Sequence, residues 1–150
     1  NIAFANPDVD ESRVRECAKR AMADDFINEL SDGYQTIVGE KGFGLSGGQK
    51  QRVSIARAML KDAPVFVFDD STSALDAETE RKLLENLRTY YKERTILIAA
   101  HKMSSVVDCD EIIYLSNGKI VERGTFDELM ELDGHFAGVY KTQMAKQTVA

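Results

Sequence analysis

The spacing of apolar residues predicts helices in the first half of the chain. Apolar positions recur at helical intervals over residues 10–22, over the short stretch 24–30 and over residues 46–61. In the third helix, Ser46 stands three residues before Gln49, a spacing typical of a helix start. Residues 34–44 contain three glycines and predict a loop.

Helices and strands alternate in the second half. The apolar runs 65–68 and 95–100 predict two buried parallel strands, with a helix over residues 76–91 connecting them. Asn117-Gly118 separates two further strand-like runs and predicts a tight hairpin. Thr125 and Glu128 have the spacing of a capping box before a final helix. This alternation predicts an α/β layer fold.

Composition and charge narrow the possible functions. The chain has 150 residues and a net charge of −6, which argues against general binding to nucleic acid. Cys17 and Cys109 lack the spacing of metal or redox motifs, and we expect reduced thiols. No apolar run is long enough to span a membrane. The first residue is Asn, and we expect the chain to be a piece of a longer protein.

The stretch GLSGGQKQR, residues 44–52, carries the first candidate chemistry. Two glycines at a helix start cost about 1 kcal/mol each relative to alanine, so we expect something to approach the backbone closely there. Free N–H groups and the positive end of the helix dipole suit a phosphate at such a position. The stretch is not a Walker A loop, because the chain contains no G-x-x-x-x-G-K-[ST].

Two adjacent aspartates, Asp69 and Asp70, end the first apolar strand. Acids after a strand are most often the start of a solvated loop when they are considered alone. Together with the stretch 44–52, however, they resemble the nucleotide-binding domain of ATP-binding cassette (ABC) transporters. The resembling motifs are the signature at 45–49, the Walker B strand at 65–69, the D-loop at 73–76, the switch histidine His101 and, as in exporters, the X-loop at 36–42.

The resemblance implies a fold and a division of the chain. The fold would be α/β, a P-loop NTPase of the ABC ATPase type, represented by its C-terminal portion without the Walker A region. Residues 1–62 would form the helical subdomain with the signature helix. Residues 63–150 would form the C-terminal part of the RecA-like ATPase core.

The resemblance also implies roles for individual residues around ATP and Mg²⁺. Asp69 would hold the metal ion, and Asp70 and His101 would be catalytic. The family usually has glutamate at the position of Asp70, so this carboxylate falls short by about 1 Å, and such a displacement can lower a rate by about 10²-fold. The residues that would contact nucleotide are Leu45, Ser46, Gly47, Gly48, Gln49 and Asp76.

The resulting prediction is an ATP-hydrolysing subunit of an ABC exporter at the cytoplasmic face of the cell membrane. Its partners would be a second nucleotide-binding domain, in a heterodimer, and the transmembrane domains. The chain alone would be inactive and would self-associate. One alternative is a soluble nucleic-acid- or ribosome-associated ABC ATPase, which the acidic balance and residues 36–42 disfavour. Another is a regulatory half-site that binds nucleotide without hydrolysing it.

Overall fold

The computed structural model describes residues 1–6, 8–39 and 44–148, and their contacts divide them into two units, Asn1–Ala99 and Ala100–Ala150. The predicted division at residues 62 and 63 stays a prediction. The X-loop prediction falls partly on residues 40–42, which lie outside the described residues. No helix in the described part of the chain is both long enough and apolar enough to cross a bilayer.

The helices of the first unit follow the predicted apolar spacing. They are α1 (Glu11–Arg20), α2 (Asp24–Glu29), α3 (Gly47–Lys61) and α4 (Ala77–Tyr90). Asp10 starts α1 by accepting a hydrogen bond from the Ser12 N–H at 2.9 Å. Asp62 ends α3 in the left-handed conformation, with φ of 51°. Short 3₁₀ turns lie at Ile2–Ala5 and Gly33–Gln35.

A parallel pair of strands, β1 (Val65–Asp69) and β2 (Thr95–Ala99), flanks α4 in the sequence. The register pairs Val65 with Thr95 and Asp69 with Ala99. The parallel pairing is confirmed. The expected full burial is wrong in this chain, because the β1 side chains alternate between the core and solvent. Phe66 is 3% exposed, whereas Val67 is 67% exposed.

The core of the first unit lies between the helices and one face of this sheet. Phe66 packs edge-to-face on Tyr91, with ring centroids 5.2 Å apart. The fully or almost fully buried side chains around them come from α1, α3 and α4 and are Cys17, Ala18, Ile55, Met59, Leu83 and Leu87. Both Cys17 and Cys109 are free thiols, as expected.

The second unit contains the predicted hairpin, built from β3 (Ile112–Ser116) and β4 (Lys119–Gly124). Asn117 and Gly118 both have positive φ, of 50° and 73°, which is the conformation of a type I′ turn. The register shifts by one residue in β4, after Ile120, where a bulge occurs. The hairpin prediction is confirmed.

The final helical region is divided in two, α5 (Phe126–Leu132) and α6 (His135–Thr148). The predicted capping box of Thr125 and Glu128 starts α5. Asp133, with φ of 52°, ends it. The carboxylate of Glu122 then accepts hydrogen bonds from the first N–H groups of α6, including that of Phe136 at 2.9 Å. A Cβ on Gly134 would collide with that carboxylate, so a side chain at this position would require the end of the Glu122 side chain to move.

Candidate functional site

The start of α3 has the predicted cap. The Ser46 hydroxyl accepts from the Gln49 N–H at 3.2 Å, and the Gln49 side-chain oxygen accepts from the Ser46 N–H at 2.8 Å. Leu45, just before the cap, is half-buried against the core of the first unit. Leu45 therefore anchors the segment, and Ser46 and Gln49 shape its exposed end.

The glycines at this helix start lie against the turn formed by residues 70–76. A Cβ on Gly48 would come within 2.9 Å of the Ala74 carbonyl oxygen, and a Cβ on Gly47 within 3.4 Å of the Ala74 side chain. The sequence predicted that something approaches the backbone closely at these glycines. At Gly48 the approaching group is the Ala74 carbonyl of the same chain. A phosphate contact at Gly47 and Gly48 stays a prediction.

Gln51 joins the same two segments through both ends of its side-chain amide. Its nitrogen donates to the Ser73 hydroxyl at 3.0 Å and to the Asp70 carbonyl at 3.4 Å. Its oxygen accepts from the Ala74 N–H at 3.0 Å. The Gln51 side chain thus joins the signature segment to the turn after β1.

Asp69 and Asp70 lie exposed at the carboxyl end of β1. Among the described residues, no group donates a hydrogen bond to either carboxylate. The Asp70 main chain is held at φ of 47°, and its N–H donates to the Ala99 carbonyl at 2.8 Å. Aspartate adopts this left-handed region more readily than most residues do. Both carboxylates are free for a ligand.

Asp76 starts α4. Its carboxylate accepts from the Thr79 N–H at 2.9 Å, and this bond to the backbone lowers the pKa of Asp76. The side chain of Asp76 is exposed, so it stays accessible while it caps the helix. The nucleotide contact predicted for Asp76 stays a prediction.

His101 lies in the second unit, where its side chain is exposed. Gln143 on α6 holds the main chain around it. The Gln143 nitrogen donates to the His101 carbonyl at 2.8 Å, and its oxygen accepts from the Met103 N–H at 3.0 Å. The segment that carries His101 is therefore fixed by α6, and the imidazole is left unhindered.

The donor set for Mg²⁺ is small. Across residues 1–6, 8–39 and 44–148, no three histidine, cysteine or acidic side chains are grouped as a metal site. Mg²⁺ is usually held by one or two carboxylates together with water and substrate phosphates. An exposed, unpaired Asp69 at the end of a strand fits that requirement.

Three residues that sequence reasoning did not single out shape these segments. Gln51 stands four residues after Gly47 and three after Gly48, so helical spacing alone places all three on one face. Arg52 donates to the Met22 carbonyl at 2.6 Å, and burial lowers the pKa of Arg52. Gln143 has no comparable signal, because its partners are 40 and 42 residues away in the sequence.

Known proteins resemble the chain over almost its whole length. The sequence profile of the family described as ABC transporter matches residues 2–73. The ATP-dependent lipid A-core flippase of Legionella pneumophila strain Paris is 49% identical over 143 residues, which make up 95% of the chain and 24% of the flippase. The ABC transporter ATP-binding protein YknU of Bacillus subtilis is 47% identical over 143 residues, with the same 95% and 24% shares.

A solved structure agrees in fold. The structure of a bacterial Atm1-family ABC exporter with ATP bound superposes with a TM-score of 0.91 at 40% sequence identity. The match covers 95% of this chain and 25% of that chain. The chain therefore spans about a quarter of the length of the relatives that it matches.

Proposed function

This chain belongs to the ABC transporter family, and we propose that it is the C-terminal part of the nucleotide-binding domain of an exporter, which couples ATP binding and hydrolysis to transport across a membrane. The observation that carries the proposal is the packing of the LSGGQ helix start on the turn that follows Asp69 and Asp70. Relatives named as a flippase and as an exporter favour this function over a soluble ABC ATPase.

The start of α3 would bind the phosphates of a nucleotide held mainly by a partner chain. The first N–H groups of an α-helix have no acceptor within the helix, and the helix dipole favours an anion there. Ser46 satisfies the N–H of Gln49. The N–H groups of Gly47 and Gly48 have no acceptor in the described part of the chain, so both would be available to a phosphate oxygen.

The carboxyl end of β1 would serve a second nucleotide. Asp69 would hold Mg²⁺, which, when bound, neutralises charge on the phosphates during phosphoryl transfer. Asp70 would orient the attacking water or take its proton at a carboxylate oxygen. His101 would donate a hydrogen bond to the terminal phosphate of a nucleotide.

The short side chain of Asp70 suggests that the partner domain differs from this one. With the carboxylate about 1 Å short of the glutamate position, hydrolysis at this site would be slow. The intact residues 45–49 would instead complete the site whose Mg²⁺ and water are held by the partner. We therefore propose a heterodimer of two unequal nucleotide-binding domains, joined to transmembrane domains and lying at the cytoplasmic face of the membrane.

The test is ATP hydrolysis by the full-length protein assembled with its partner. We expect Mg²⁺-dependent ATP turnover, and we expect Asp69→Asn to weaken Mg²⁺-dependent nucleotide binding at this chain's own site. The 150-residue chain alone, which lacks a Walker A loop, should give no ATP binding in the micromolar range by calorimetry. An assembled protein that neither binds nor hydrolyses ATP would contradict the proposal.

A further inference from the structure

The Gln51 side chain forms a polar connection between two segments that the proposed function assigns to different nucleotides. Its amide nitrogen reaches Ser73 at 3.0 Å and the Asp70 carbonyl at 3.4 Å, while its oxygen accepts from Ala74 at 3.0 Å. Gln51 itself lies on α3, one turn after the two glycines of the helix start. The nitrogen and the oxygen of the Gln51 amide therefore both hydrogen-bond to the 70–76 turn.

The contact continues to the Asp70 main chain. Ser73, which receives the Gln51 donor, in turn donates its hydroxyl to the Asp70 carbonyl at 2.9 Å. On its other side, the Asp70 N–H is bonded to Ala99 of β2. These bonds bracket a residue at φ of 47°, a conformation that surrounding contacts must maintain. Gln51 thus supports the backbone that aims the Asp70 carboxylate.

Steric fit makes the contact close as well as polar. The Ala74 carbonyl lies so near Gly48 that a Cβ there would come within 2.9 Å. A shift of the 70–76 turn would therefore push on the helix start, and a shift of the helix start would push on the turn. The side chain of Gln51 fixes the register of this contact, because its donor and acceptor have distinct partners.

We propose that Gln51 is a positioning residue for ATP hydrolysis, which fixes the LSGGQ helix start and Asp70 relative to each other so that the two nucleotide sites respond together. The inference rests on the proposed function, because it needs the helix start to face a partner's nucleotide. Gln51 itself would not contact nucleotide. It acts through Ser73, Ala74 and the Asp70 backbone.

The test is Gln51→Met in the full-length transporter with its partner. Methionine keeps the length of the side chain and removes both hydrogen-bonding ends. Misplacement of reacting groups lowers the rate more than it lowers binding, so we expect kcat for ATP to fall about tenfold, with KM changed less than about twofold. Gln35→Met is the matched control, since Gln35 is exposed and its side chain makes no hydrogen bond among the described residues. It should leave both constants unchanged.

A double-mutant cycle with Ser73→Ala separates positioning from general loss of stability. If Gln51 acts through Ser73, the double variant should be less than about twofold slower than Gln51→Met alone, whereas independent effects would multiply. If Gln51→Met does not assemble, Gln51→Glu replaces it. Glutamate keeps the acceptor for Ala74 and loses the donor, and kcat should again fall with KM retained.

The outcomes distinguish the two proposals. Wild-type protein without ATP turnover would contradict the proposed function. Active wild-type protein with an unchanged kcat in the Gln51 variant would overturn only the role of Gln51. The role of Gln51 would also be overturned if Gln51→Met lowered both kcat and the thermal unfolding midpoint, and if its effect on kcat multiplied with that of Ser73→Ala. A residue that only stabilises the fold would behave in that way.

Discussion

Asp70 combines a short side chain with an unusual backbone conformation. Its carboxylate is unpaired among the described residues, and its φ is 47°. The left-handed region is more accessible to aspartate than to most non-glycine residues. The residue is therefore suited to its local backbone, although its reach is shorter than that of the glutamate the family usually has. Replacing Asp70 with the longer glutamate would therefore fit the left-handed backbone less well, but it would bring the carboxylate closer to the attacking water.

We expect Asp70→Glu to raise ATP hydrolysis at this chain's own site, by up to about 10²-fold, because the longer side chain reaches the attacking water. The measurement is site-resolved hydrolysis in the assembled transporter with the partner's base disabled. Asp62→Glu is the matched control, since Asp62 has φ of 51° and lies at the end of α3. That control tests backbone strain and should not raise hydrolysis. No increase with Asp70→Glu would mean that Asp70 is a structural or regulatory acid.

Gly48 allows a second prediction at the residue scale. We expect Gly48→Ala to destabilise the chain by about 1–3 kcal/mol, because the added Cβ collides with the Ala74 backbone. Gly138 on α6 has open space where a Cβ would be, and Gly138→Ala should stabilise the chain by about 0.5–1 kcal/mol. Chemical denaturation of both variants measures the contrast. Equal effects at the two glycines would contradict the close approach at Gly48.

Caps decide where most of these helices start. Ser46, Asp76 and Thr125 each accept a hydrogen bond from an N–H three residues along the chain. At the start of α6, the carboxylate of Glu122 on β4 accepts hydrogen bonds from the backbone N–H groups of His135 and Phe136. Caps of this kind satisfy backbone donors that have no partner inside the helix, and they hold the residues at the start of α3 in place.

The Glu128 cap makes stability depend on pH. Its carboxylate accepts from the Thr125 N–H at 2.8 Å, and this bond lowers the pKa of Glu128. A carboxyl whose pKa is lower in the folded chain stabilises the fold above its unfolded pKa of about 4.3, and this contribution is lost as pH falls through the folded value. We therefore expect Glu128→Gln to lower the unfolding midpoint at neutral pH and to match wild type at strongly acid pH.

Glu131→Gln on the same helix is the control. The side chain of Glu131 is exposed and makes no hydrogen bond or ion pair with the described part of the chain. Thermal unfolding from neutral to acid pH compares the variants. A gap between Glu128→Gln and wild type that stays constant over the whole range would contradict the charged cap.

At the scale of the whole molecule, an apolar face of the β1–β2 sheet is exposed. Val65, Val67 and Leu97 are 47%, 67% and 55% exposed on it. In the described part of the chain this sheet has two strands, so each also has an unpaired edge. Exposed apolar patches and free strand edges both favour association between molecules.

We expect the 150-residue chain to form dimers or larger species as its concentration rises, and Val67→Lys to weaken this association by placing a charge on the apolar face. Ile37→Lys is the control, because Ile37 is 94% exposed and lies in the loop of residues 36–39. Light scattering over a wide concentration range measures the state. A monomer at every concentration would contradict the prediction.

The sequence alone determined most of the elements and the family. Apolar spacing predicted α1, α3 and α4, because a helix with one buried face must repeat that face along its own sequence. Asn117-Gly118 predicted the hairpin turn, which depends on two residues that tolerate positive φ. The motifs from Leu45 to His101 predicted the ABC fold, because each one is a short contiguous stretch that can be recognised in the sequence without knowing the tertiary structure.

Tertiary structure decided what depends on residues far apart in the sequence. Position 48 requires glycine because the Ala74 carbonyl lies against it. The Gln143 side chain hydrogen-bonds to the backbone of His101 and Met103. The strand 65–68 reads as wholly apolar, yet only packing decides which of its faces is covered. Periodicity and motifs record local chemistry, whereas contacts between distant segments arise only when the chain folds and brings their surfaces together.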